Sequence, residues 1–233
     1  MHFRKILFIS AIFSASPAFA FAFAATLSVS PATGSATVGS TLTVQIQVNT
    51  QGAASDGVDV RYLNFNPSLL QVIDENSSVS GVQITPGMLM PNTPVNTVDN
   101  TMGRITFSQV PSGGTMFTNA SSQTLATVRF QVLAAGTAAL TLNHTLGSTA
   151  DCNVAQGGSD ILTSVTNGSY TLNTASDTTP PTVSITSPSA GTTVSNTVTL
   201  SANATDNVAV ASVEFFVDGT SRGTDTSSPY SIQ

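Results

Sequence analysis

The chain has 233 residues, enough for one large domain or two modest ones, and its 17 Gly and 11 Pro exclude collagen-like and low-complexity sequences. Only 8% of residues are charged, against roughly 25% in an average soluble domain; Thr, Ser and Asn supply the polarity, and low charge argues against a chain kept open by self-repulsion. After Arg4 and Lys5 the only cations are Arg61, Arg104, Arg129 and Arg222, facing 12 acids, so a phosphate backbone would be repelled and nucleic-acid binding is excluded.

The first element is a targeting segment. Met1 to Lys5 is a short basic head, Ile6 to Ala15 is apolar, and small residues alternate from Ala18 to Ala24 after Pro17. That layout predicts a signal peptide over 1–24, cleaved after Ala24, with Ala20 and Ala22 as alternative sites. The competing reading is an uncleaved anchor, because Ile6 to Ala25 nearly reaches spanning length. Export predicts a secreted or cell-surface protein with no membrane span after cleavage. The one cysteine, Cys152, excludes an internal disulfide and leaves a thiol that either cross-links two chains or packs as a small apolar group.

The body reads as strands. Leu27-Ser28-Val29 comes first, then Leu42, Val44, Ile46 and Val48 alternate with polar residues over seven positions. Next, Val58 and Val60 share one parity while Leu63 and Phe65 share the other. A straight strand cannot bury both sets on one face, so an extra residue near Arg61-Tyr62, a β-bulge, is predicted. Short runs follow at Val82-Gln83-Ile84, Ile105 to Phe107, Val128 to Val132, Leu140 to Leu142 and Tyr170 to Leu172, separated by Gly, Pro and Asn turns. With no sustained helical period, this predicts an antiparallel sandwich or barrel. From Asn173 the chain turns polar, and Pro180-Pro181 stiffens a linker expected over 174–181. A second strand series (Val183 and Ile185, Val198 and Leu200, Val213, Phe215 and Val217) fills 182–233, shorter than the roughly 100 residues of an Ig-like sandwich. The expectation is an incomplete Ig-like domain in the N-terminal piece of a longer protein.

Two families resemble these stretches. Residues 26–173 resemble the cohesin domain of bacterial scaffoldins and cell-surface proteins. The carriers are Val38-Gly39 with Thr43 to Ile46, then Gly57 to Val60 running into Leu63-Asn64-Phe65-Asn66-Pro67 and Leu70 to Val72, then Leu125 to Val132 before Gly136. Asn66 stands where the family usually has Asp. Residues 180–233 look like the start of a bacterial Ig-like domain, on Pro181 to Ile185, Ala204 to Val210 and Val213 to Gly219. The first resemblance implies a jelly-roll β-sandwich over 25–173 and a non-catalytic binding role. In cellulosomal members the partner is a dockerin module on a polysaccharide-degrading enzyme. The family's recognition face includes the strand where this chain has Val58, Val60 and Tyr62, which are therefore the candidate binding residues.

Chemistry beyond binding finds little to work with. After the targeting segment there is one histidine, His144, and the only glutamates are Glu75 and Glu214. Asp74-Glu75 in a strand would point to opposite faces, unlike a glycosidase carboxylate pair, and no G-x-S-x-G turn occurs. The expectation is no enzyme. Tyr62 is the best aromatic platform for a sugar, so direct carbohydrate binding is the alternative function, and a structural spacer or adhesin stalk without a ligand is another. Asp177, Asp206 and Asn207 are oxygen donors suggestive of Ca²⁺, but are too few for its six to eight ligands; Asp206-Asn207 also suits an Asx-turn. No firm cofactor is expected. The expected partner is a dockerin-like or other secreted protein module, or a polysaccharide.

Overall fold

The structure, a computed structural model, describes residues 24–233. The targeting segment lies outside the described residues apart from Ala24. The chain divides into two compact units, one ending at Thr174 and one over Ala175–Gln233.

The first unit forms β1 (Ala25–Ser30), β2 (Thr33–Thr37), β3 (Thr41–Asn49), β4 (Gly57–Asn64), β5 (Leu70–Val72), β6 (Thr85–Pro86), β7 (Asn92–Asp99), β8 (Arg104–Val110), β9 (Gln123–Val132), β10 (Gly136–Leu142), β11 (Asn153–Gln156), β12 (Ser159–Asp160), β13 (Leu162–Thr166) and β14 (Gly168–Asn173). No helix forms among the described residues. One sheet runs β13-β1-β3-β9-β5, with β6 also on β9; the other runs β12-β11-β4-β10-β14-β2, with β8 on β4 and β7 on β8. The chain is therefore all-β, and its first unit is a jelly-roll β-sandwich.

Period-two alternation explains the core. Leu42, Val44, Ile46 and Val48 of β3 face inward opposite Phe130, Val128 and Ala126 of β9, and Phe65 meets Phe130 edge-on with centroids 5.2 Å apart. Burying such side chains contributes about 1.5–3 kcal/mol each, and the cluster joins both sheets. Tyr170 is buried and donates its hydroxyl to the Pro31 carbonyl. Burial pushes its phenol up to about 12. Its ring is accommodated by Gly168, where a Cβ would come within 2.7 Å of it.

One strand expectation of this unit needs correction. Val82 makes only an isolated bridge to Val98, and the following pairing falls on Thr85–Pro86. Ile84 is still buried, because the Asn96 side chain takes the place of a strand partner: its Oδ1 accepts from the Ile84 N–H at 3.0 Å and its Nδ2 donates to the Ile84 carbonyl at 2.7 Å.

The second unit forms β15 (Thr182–Ser187), β16 (Leu200–Thr205), β17 (Val213–Val217), β18 (Thr220–Asp225) and β19 (Tyr230–Ile232). They make a three-stranded sheet, β15-β16-β19, and a β17-β18 ribbon. Its buried cluster is Ala202, Val213, Phe215 and Tyr230. Val198 lies outside the strands, and a register shift between Phe215 and Phe216 breaks the expected parity, leaving both Phe216 and Val217 exposed.

Candidate functional site

The site is built around β4. One edge of this strand pairs with β8 along its length; the other is shared, with β11 on Gly57–Asp59 and β10 on Leu63–Asn64. The register against β8 shifts between Arg61 and Leu63, leaving Tyr62 without a partner residue. This is the bulge expected from the parity break. Tyr62 takes φ +74°, a left-handed conformation that costs an L-residue roughly 1–2 kcal/mol. Its carbonyl accepts from the Asn143 N–H at 3.1 Å, and the Asn143 carbonyl accepts from the Cys152 N–H at 2.9 Å. The Cys152 thiol donates to the Arg61 carbonyl at 3.5 Å. Asn143 and Cys152 therefore close the gap where β4 changes neighbours.

Cys152 is buried, and this answers the question of its role. Desolvation pushes its thiol up to about 12, so it is neither exposed for cross-linking nor ionised near neutral pH.

Cross-strand partners project to the same face of a sheet, which defines three outward rows. Asn153, Asp59, Ser108 and Val95 form the first; Arg61, Thr106 and Thr97 the second; Thr141, Asn64, Arg104 and Asp99 the third. Tyr62 is 39% exposed, and the Arg104 guanidinium lies 5.0 Å from its ring centroid, a cation–π contact of about 0.5–1 kcal/mol at an exposed site. Arg61 Nε donates to Asp59 Oδ2 at 2.9 Å. Burial raises the Asp59 carboxyl above its usual range, and the Arg61 charge and hydrogen bond oppose that shift without cancelling it.

Val58 and Val60 require correction as contact residues. Their side chains are buried in the core, because neighbouring positions on a strand face opposite ways. A partner resting on this face meets Asp59 and Arg61 instead. The Val58–Val60 parity already implied that Asp59 and Arg61 point outward, but nothing in the sequence placed Arg104, Ser108 or Asn153 beside them. Those come from strand pairings 40 to 94 positions apart.

Most of the remaining acidic groups take structural hydrogen bonds or ion pairs. Glu75 pairs with Arg129 at 3.0 Å, and Asp74 Oδ1 accepts from the Asn76 and Gln83 N–H groups. The ring nitrogens of His144 have no hydrogen-bond partner among the described residues. Asp206 Oδ1 accepts from the Val208 and Ala209 N–H groups, which is the Asx-turn geometry. Asp177 Oδ1 accepts from Thr179 N–H at 3.0 Å and from Asn207 Nδ2 at 3.4 Å. Asp177 and Asn207 thus meet, with the Asn amide nitrogen turned toward the carboxylate. Among the described residues no group of three or more His, Cys, Asp or Glu side chains could hold a metal.

Comparison with known proteins assigns a family to the chain through a domain model. No curated protein matches the chain. Among solved structures it is similar to the third cohesin ScaC of Acetivibrio cellulolyticus, solved in complex with the ScaB dockerin (17% identity, 64% of this chain and 99% of that one, TM-score 0.49). It is also similar to the seventh ScaB type I cohesin of Pseudobacteroides cellulosolvens (16%, 68% and 97%, TM-score 0.49) and to a non-cellulosomal cohesin of the archaeon Archaeoglobus fulgidus (18%, 64% and 91%, TM-score 0.46). Residues 181–233 match the bacterial Ig domain model. Residues 26–174, well over half of the sequence, match the cohesin domain model, and the chain belongs to the cohesin family.

Proposed function

We propose that the first unit is an exported, non-catalytic docking module of a larger surface or scaffold protein, which attaches a dockerin-type or other secreted protein module in polysaccharide degradation. The observation that carries this reading is the outward face of β11-β4-β8-β7, where the bulge lifts Tyr62 out of a polar sheet beside Arg104. A tyrosine and arginines in a flat polar field are the residue types that anchor protein interfaces. The cohesin family, with dockerin as partner in its cellulosomal members, supplies the partner class.

The test is retention of the full chain on immobilised dockerin modules and on a secreted-protein extract. Saturable binding that falls about tenfold or more in Tyr62→Ala is expected, the loss typical of an aromatic anchor. No saturable protein partner would overturn the reading.

The exposed ring also favours a second reading, direct carbohydrate binding at Tyr62, although Arg104 covers one of its faces. Affinity electrophoresis on soluble and insoluble glycans separates the two: retardation abolished by Tyr62→Ala, without protein retention, supports the sugar. A structural spacer predicts neither.

A further inference from the structure

The first outward row of the docking face contains more hydrogen-bond acceptors than the protein itself uses. Asp59 has Oδ2 occupied by Arg61 Nε, while Oδ1 carries no hydrogen bond among the described residues. Ser108, directly opposite on β8, is only 7% exposed, and its hydroxyl is likewise unpartnered. Asn153, opposite on β11, is 6% exposed; its Nδ2 donates to the Asp151 carbonyl, and its Oδ1 has no donor. These three residues line one groove of about 380 Å³, together with Asp56, Thr149 and Gly158. Asp56 Oδ2 accepts from the Gly157 N–H, which fixes a second carboxylate there. The three acceptors open into the groove, where a ligand that supplies donors would find them free.

The chemistry of the row selects the ligand. Every unmet group can accept, and two carboxylates, Asp56 and Asp59, line the groove with no cation among the lining residues; Arg61 pairs with Asp59 alone. Neighbouring strands lie about 4.8 Å apart, close to the separation of two acceptors around one tetrahedral nitrogen making bonds of about 2.8 Å, so Asp59 at the centre of the row can share one nitrogen with a flanking acceptor, Ser108 or Asn153. An ammonium offers three such donors from a point. A guanidinium fork prefers both oxygens of one carboxylate, and Arg61 already holds one of them.

We infer, on the strength of the docking reading above, that the Asn153–Asp59–Ser108 row is the seat of one lysine ammonium presented by the docking partner. Tyr62 and Arg104 anchor the partner's surface, while the row reads a single charged side chain beside them. Burial that raises the Asp59 carboxyl is relieved when the ammonium arrives, so binding would favour its ionised form.

The experiment is an amide-shift titration of the full chain with Nα-acetyl-lysine methylamide, using its Nε-acetylated form as the neutral control and Nα-acetyl-arginine methylamide as the fork control. Saturable shifts centred on Asp59, Ser108 and Asn153 are expected with the lysine probe, absent with the neutral probe and weaker with the arginine probe. Asp59→Asn should weaken the response roughly fivefold or more, the loss expected of one charge-assisted bond. Should Asp59→Asn disturb the β4 spectrum, Ser108→Ala, which removes one acceptor without a charge, should weaken it by a smaller factor. Equal shifts with the charged and neutral probes, or variants that titrate like the parent, would overturn the seat. A lysine-specific response with no protein retained in the binding assay removes the docking reading and keeps the seat; a retained dockerin with no lysine response does the reverse.

Discussion

At Tyr62 a large aromatic side chain occupies a backbone conformation suited to glycine. Such strain persists where the surroundings over-determine it, and it often marks function. Replacing Tyr62 with Gly should therefore leave the fold as stable or about 1 kcal/mol more stable, while Tyr62→Ala keeps the strain; both should lose partner binding. Thermal melts alongside the retention assay check this, and a clearly less stable Gly variant would mean the ring is needed for packing. Cys152 makes a different kind of prediction. Its thiol stays protonated in the fold up to about 12, against 9.0 when exposed, so its stabilising contribution is complete below pH 9 and is lost as pH rises toward 12. The full effect is about 4 kcal/mol. Chemical denaturation across that window should show a steeper alkaline loss in the parent than in Cys152→Ala, which starts lower because it vacates a buried site. A native thiol that reacts rapidly with a maleimide at neutral pH would contradict the burial.

Among the elements, asparagine side chains complete the ladders where strands end. Asn96 pairs with both backbone groups of Ile84, and Asn100 does the same for Val72, accepting at 2.8 Å and donating at 3.0 Å. Asn119 is the most heavily used. Its Oδ1 accepts from the Thr50 N–H at 2.6 Å, and its Nδ2 donates to the carbonyls of Val48 and Ser121 at 2.8 Å. It ties the segment before β9 to the end of β3. Asn119→Ala strands buried backbone groups and should cost about 2–3 kcal/mol, read as a shift in the urea midpoint and faster amide exchange at Thr50. The same burial answers a modification question. Asn119-Ala120-Ser121 reads as a glycan acceptor, yet its amide is engaged in the folded chain, whereas Asn76 and Asn143 in similar triplets are exposed. Expression in a glycosylating host should leave Asn119 unmodified in folded material by peptide mass mapping.

For the whole molecule, the two units differ in how much apolar surface each encloses. The first buries a cluster that spans both its sheets; the second buries Ala202, Val213, Phe215 and Tyr230 and leaves Val183 and Phe216 exposed, with Ile185 at 72%. Stability follows buried apolar area, and small units are the harder ones to stabilise. Limited proteolysis should trim residues beyond Pro181 first and leave a resistant fragment close to residues 25–174. Equal protection of both halves would refute the difference. Residues 174–181 between them carry no strand, and a first cut there is the expected entry point.

Much of the fold could be read directly because its period is local. Alternating Leu42 to Val48 and Val128 to Val132 specify half-buried strands whatever their partners, and the parity break from Val60 to Leu63 located the bulge, because a residue's face depends only on its place along its own strand. The same rule, applied to Val58 and Val60, would have turned attention to Asp59 and Arg61. Tertiary structure alone decided the rest. Arg104 reaches Tyr62 and Asn153 reaches Asp59 through strand pairings set by global closure of the sandwich, and no local pattern encodes them. In the sequence no pattern marks Asn96, Asn100 or Asn119, and Cys152 stands between cross-linking and packing. Each became structural only when the fold left backbone groups without partners, and those unpaired groups exist only once distant strands have met.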